Sequence, residues 1–112
     1  VTSPPSVRID PAAVPEPAPG GAAAASKAFA APSGSLSAGV WRSPPGRIEV
    51  DYKRDEVCVM IEGEVRLTDA AGATEVYRAG DAFVVPAGFK GVWEMPVAVT
   101  KYYVLHARPA GD

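Results

Sequence analysis

"RIEVDYKRDEVCVMIEGEV", residues 47–65, decides how the chain folds. Its first six residues alternate, with Ile48, Val50 and Tyr52 on one face and Arg47, Glu49 and Asp51 on the other. A period of two is the mark of a strand with one face on a core. The charged cluster Lys53-Arg54-Asp55 interrupts it and reads as a turn. From Glu56 to Ile61 the chain is apolar on both faces: Cys58 and Met60 share the side of Glu56, while Val57, Val59 and Ile61 take the other. Such a run belongs to a strand covered on both faces, so these three residues are expected to be buried.

The same texture extends outward from this segment. "SKAFA", "LSAGVWR", "TEVYR", "AFVVP", "GVWEM" and "VAVTKYYVLHA" read as further short strands. Gly- and Pro-rich punctuation separates them, as in a sandwich or barrel. Gly80-Asp81 and Pro86-Ala87-Gly88 are read as tight turns in which glycine supplies positive φ. No segment sustains a helical period. Residues 1–25, "VTSPPSVRIDPAAVPEPAPGGAAAA", differ: proline fixes φ and removes donors, which predicts an extended arm. Within it "SVRID" is short, alternating and able to extend a sheet edge. Residues 26–112 then form a single all-β domain.

Composition narrows the function classes. At 112 residues the chain is one domain at most, and its net charge of −2 comes from intermixed signs. No basic footprint for nucleic acid is present. No apolar run approaches the roughly 20 residues of a membrane helix. The N-terminus shows neither a basic start nor an apolar signal core. The single Cys58 allows no internal disulfide, and a reducing cytoplasm is the expected location.

"EVCVMIEGEVRLTD" (56–69) and "GDAFVVPAGFKGVWE" (80–94) resemble the two signature motifs of the cupins. The closer likeness is to small single-domain cupins of the ureidoglycine aminohydrolase-like group, which includes ethanolamine-utilisation cupins. It runs from about Ser26 to Leu105, and "RIDP" in the arm is similar to that group's lead-in. The resemblance implies a jelly-roll β-barrel. It also implies a metal held by two histidines and a glutamate of the first motif and a histidine of the second. Glu56 and Gly63 match with the required six-residue gap, but the histidine positions hold Val50, Tyr52 and Gly91. One carboxylate and a phenol do not make a transition-metal site, so no metal and no cofactor are expected. In another register Glu49, Asp51 and Glu56 form an all-oxygen site for a hard cation, at the cost of burying three carboxylates.

Four residues are the candidate ligand site: Tyr52, Glu56, Trp93 and Tyr103. Glu56 is either a polar anchor in an apolar cavity or a rim carboxylate paired with Arg47, Lys53 or Arg54. Tyr52 is a ligand contact or a core ring. Cys58 reads as a small apolar side chain, and His106 as an edge histidine. Trp41, Phe83, Phe89 and Tyr102 read mainly as core and interface. Lys90 and Arg42 are solvated cations or mouth anchors. Three functions remain open. One is a metal-free cupin that binds a small polar ligand, serving a pathway of small nitrogen compounds. The others are an aminohydrolase- or isomerase-like enzyme and a structural dimer without ligand. The long last strand and the arm suggest a homodimer.

Overall fold

The computed structural model describes residues 3–111; residues 1, 2 and 112, which the expected arm and domain include, lie outside them. Nine strands follow the predicted pattern: β1 Ala24–Ala30, β2 Leu36–Ser43, β3 Gly46–Asp51, β4 Asp55–Glu62, β5 Glu64–Asp69, β6 Thr74–Arg78, β7 Ala82–Val85, β8 Lys90–Met95 and β9 Val99–His106. They make two antiparallel sheets, ordered β1-β2-β9-β4-β7 and β3-β8-β5-β6. Strands adjacent in sequence often lie in different sheets, and the chain closes as the jelly roll expected from its motifs.

Alternation along each strand fills the space between the sheets. Cys58, Met60, Val65, Leu67, Phe83, Val85, Trp93, Met95 and Val99 form the core, with Trp41, Val50, Tyr52, Tyr77 and Phe89 packed against it. Val50 and Tyr52 are therefore the inward pair of "RIEVDY", as periodicity requires. Tyr77 stacks flat on Phe83 with centroids 3.8 Å apart. Gly80 and Gly88 take φ of 92° and 93° at the two turns flanking β7, a region open to glycine at little cost.

Two parts differ from the sequence reading. The arm is not a strand: "SVRID" pairs with nothing, and Pro11–Ala13 form a single 3-10 turn capped by Asp10. The arm is nonetheless anchored, since Val14 is buried and its carbonyl accepts from Arg42 Nη1 at 2.9 Å. The first strand begins inside the alanine run, at Ala24. The second difference is on β4. Glu56, Cys58 and Met60 are buried as expected, but Val57 and Val59 are exposed and Ile61 is half-buried. The alternation is as read; what is missing in a single chain is a cover for the outer face.

Gly91 stands where the cupin motif has its second-motif histidine. A Cβ built there would run into the carbonyl oxygen of Thr68 on β5. The space a ligand side chain would use is taken by backbone. Gly91→Ala is therefore expected to lower stability by at least about 1–3 kcal/mol, the range for overpacking, read from the urea midpoint at unchanged slope. Wild-type stability in that variant would mean that the two strands separate freely here.

Candidate functional site

The site forms where Glu56 on β4, Lys101 on β9 and Tyr52, just past the end of β3, meet. Backbone hydrogen bonds fix Tyr52 to the second-motif turn: its N–H donates to the Phe89 carbonyl at 2.8 Å, and its carbonyl accepts from Gly88 at 2.7 Å. The Tyr52 hydroxyl donates to Glu56 Oε1 at 2.7 Å. The other carboxylate oxygen, Oε2, accepts from Lys101 Nζ at 2.8 Å. Both members of this ion pair are buried, with side-chain exposures of 6% for Lys101 and 8% for Glu56.

Lys101 was not among the residues singled out from sequence. Its backbone pairs with Met60 on one side and Trp41 on the other. The side chain runs along β4 past Cys58 Sγ, at 3.6 Å, to reach Glu56. Its ammonium lies 4.3 Å from the Trp93 ring centroid and 4.9 Å from that of Trp41. The two indoles meet edge-on at 6.0 Å. An ammonium over aromatic faces is attracted by their quadrupoles, and more strongly away from water. The signal for this lysine was present: once Tyr103 is placed facing inward, strand alternation places Lys101 on the same face.

Tyr52, Glu56 and Trp93 converge, together with Trp41, Ile48, Val50 and Lys101, on a cavity of about 200 Å³. Tyr103 does not line it. That ring is buried one step along β9, and a Cβ on Gly39 would lie 2.8 Å from its hydroxyl oxygen, so the ring fills the notch left by that glycine. The indole N–H of Trp93 is buried without a hydrogen-bond partner among the described residues.

The carboxylates of the alternative cation site do not gather. Glu49 and Asp51 lie on the outer face of β3, beside Arg47 and Lys53, while Glu56 points inward to Lys101. Among the described residues no three histidine, cysteine, aspartate or glutamate side chains converge. The residues present do not fit a divalent metal: the one carboxylate retained from the cupin ligand set already holds a covalently tethered cation. Glu56 faces inward as a cavity anchor would, but it is paired, and its partner is Lys101 rather than Arg47, Lys53 or Arg54.

Elsewhere the polar candidates take structural places. His106 Nδ1 lies 3.2 Å from Asp55 Oδ2 at the end of β9. The Arg108 guanidinium, the Ala87 N–H and His106 hold the Asp55 carboxyl well below the usual carboxylate range. Arg42 serves the arm and lies 4.0 Å from Glu62. Lys90 is exposed beside an open groove next to Gly91.

With this geometry in place, the sequence is matched by the EutQ-like cupin domain over residues 30–103. The chain belongs to that cupin family. Among solved structures it is similar to a putative ethanolamine utilization protein Q from Salmonella typhimurium LT2, at 23% identity and a TM-score of 0.68, covering 78% of this chain and 71% of that one. A DUF861 family protein from Thermotoga maritima is 28% identical with a TM-score of 0.56, over 57% and 73% of the two chains. A DUF861 family protein of unknown function from Pseudomonas syringae pv. tomato DC3000 is also 28% identical, with a TM-score of 0.69 over 74% of this chain and 36% of that one. Comparison with curated proteins gives no match. No helix among the described residues is long and apolar enough to cross a membrane.

The buried pair has a directional consequence. Lys101→Met leaves Glu56 buried without its counter-charge, and Glu56→Gln does the same to Lys101. Either is expected to cost about 3–5 kcal/mol in chemical denaturation, whereas the double variant Glu56→Gln/Lys101→Met recovers most of the loss. Additive losses would show that the two charges are not coupled.

Burial pushes the Cys58 thiol up to about 12, despite the opposing pull of Lys101. Above the unfolded thiol's ordinary value the unfolded chain releases a proton that the native chain keeps, so stability falls as pH rises. Tyr52 acts in the same sense, its hydroxyl raised by burial and by Glu56. Unfolding free energy is expected to decline from about pH 9 upward, with a shallower decline in Cys58→Ala. Equal slopes in the two proteins would assign the decline to other groups.

Proposed function

We propose that this chain is a metal-independent binding or accessory cupin for a small neutral molecule bearing N–H or O–H donors, in a pathway handling small polar nitrogen compounds. A single observation carries the reading: Glu56 is held between Tyr52 and Lys101 on the wall of an otherwise apolar and aromatic cavity. An ionised carboxylate offers about four acceptor positions, and Tyr52 and Lys101 use two of them. Those left favour a ligand that donates. Lys101 cancels the charge of Glu56, so an ammonium ligand gains little attraction and meets a like charge nearby. Amides, ureas and ureides, or short alcohols, match better than amines. The indole rings and Val50 supply the apolar walls usual in small-molecule sites. At about 200 Å³ the cavity suits a molecule of few atoms.

Heteronuclear NMR titration with small amides, ureas, alcohols and alkylammonium ions tests this. Neutral donors are expected to shift the backbone signals around Tyr52, Glu56 and Lys101, with alkylammonium ions weaker. Val50→Trp, which fills the cavity without touching the ion pair, should abolish the shifts in a folded protein. Preference for cations, or binding indifferent to Val50→Trp, would overturn the reading.

A further inference from the structure

A lysine is almost never fully buried unless it is paired. A buried ion pair is in turn weak evidence for stability, because packed apolar side chains of the same volume serve a core as well. Lys101 is buried all the same, and it stands on the wall of a cavity rather than in solid packing. Among the described residues that line this cavity it is the one amine; the rest are aromatic, aliphatic or, at Glu56, acidic. Its backbone is paired on both sides, with β2 and with β4. The root of the side chain is therefore fixed, and the stem delivers Nζ to one place, 2.8 Å from Glu56 Oε2.

We infer that Lys101 forms a Schiff base with a small uncharged aldehyde admitted to this cavity, with Glu56 carrying the protons. The inference rests on the reading of the cavity as a ligand site. Condensation of an amine with a carbonyl needs a desolvated amine and, within hydrogen-bond reach, a base that can return the proton as an acid. Glu56 Oε2 takes a proton from the ammonium. The Nζ lone pair then bonds to the carbonyl carbon, the π pair moves to the oxygen, and that oxygen takes the proton from Glu56. The carboxylate next removes one proton from the nitrogen and delivers it to the new hydroxyl. Water leaves with the C–O pair while the nitrogen lone pair closes the C=N bond. One ammonium and one aldehyde give one iminium and one water, with no oxidant, no reductant and no change in net charge.

The surroundings suit the product as well as the reactant. The iminium is again a cation, so it keeps Glu56 as its counter-charge and the faces of Trp93 and Trp41 beside it, and no new charge is buried. The hydroxyl of Tyr52 holds the other carboxylate oxygen and so keeps Oε2 turned to the nitrogen. The competing nucleophile is silent: Cys58 Sγ lies 3.6 Å from Nζ, but burial pushes its thiol up to about 12 and keeps the proton on sulfur. The substrate class follows from the lining. An aldehydic acid would bring a second carboxylate next to Glu56, and no second cation among the described lining residues meets it. The volume of about 200 Å³ favours a short aldehyde, with one substituent on the carbonyl, over a bulkier ketone.

Reductive trapping on the full chain tests the inference. The protein is incubated at neutral pH with propanal and cyanoborohydride, which reduces an iminium to a stable secondary amine, and its peptides are mapped by mass spectrometry. Lys27, Lys53 and Lys90 are exposed and act as references within the same molecule. Lys101 is expected to be propylated at least about tenfold faster than any of them, since the cavity holds the aldehyde beside it, and at a rate that saturates with propanal. Val50→Trp, which fills the cavity, should bring Lys101 below the references and leave theirs unchanged. Glu56→Gln, checked for fold by circular dichroism, should slow Lys101 by about 100-fold or more, the range for a lost proton carrier. If that variant does not fold, saturation in the wild type and Val50→Trp decide alone. Labelling of Lys101 no faster than the exposed lysines overturns the inference, and so does labelling that Val50→Trp leaves intact. The binding reading is scored separately: neutral amides that shift the Tyr52, Glu56 and Lys101 signals keep it standing even where no adduct forms, and an adduct without such shifts overturns it alone.

Discussion

The Glu56–Lys101 ion pair is the constraint around which the barrel is arranged. Two charges removed from water are costly, and their mutual attraction offsets that cost only where geometry is good and spare valences are met. Here the second carboxylate oxygen takes the Tyr52 hydroxyl, and the ammonium rests between two indoles and a thiol. The partners come from both sheets: Lys101, Glu56 and Trp41 from the five-stranded one, Trp93 from the four-stranded one, and Tyr52 from the end of β3. One polar chain thus ties the two layers together at their mouth. Most of the other buried side chains are apolar, and none of them carries a charge.

The same pair bears on the positions where the cupin motifs have histidines. With Val50, Tyr52 and Gly91 there, Glu56 without Lys101 would be a lone charge among mostly apolar side chains. A cation on a four-carbon stem supplies the missing charge, and the backbone closes the rest. Gly91 admits the Thr68 carbonyl where a ligand side chain would stand. Substituting histidines back would therefore require moving strands as well as changing side chains.

The fold was legible because it rests on local signals. Period-two alternation, turn glycines and the spacing of Glu56, Gly63, Gly80, Pro86 and Gly88 each specify backbone geometry, and they agree with one another. The candidate cavity was legible in part. Tyr52 and Glu56 follow from strand parity and Trp93 from its place just after the second motif, and parity says which face a residue takes but not how far its side chain reaches. That is why Lys101 was missed: it meets Glu56 by running along the neighbouring strand, past Cys58, and its direct cross-strand neighbours are Met60 and Trp41. Tyr103 failed as a cavity residue for a related reason. The correct face was assigned, but Gly39 opposite it leaves a notch that the ring fills. Proline content argues only against a regular helix or a central strand in the arm. Its attachment depends on one carbonyl meeting Arg42, a contact between residues 28 apart that no local pattern encodes.

The indole cage around Lys101 has an optical consequence. The chain contains two tryptophans, and both flank this ammonium. Indole emission is sensitive to nearby charge and to water, so the tryptophan component of the protein's fluorescence, excited at the red edge where tyrosine barely absorbs, comes from this one place. The molecule carries its own spectroscopic window on the cavity: a change in lysine position, in solvent entry or in occupancy is visible without attaching a dye.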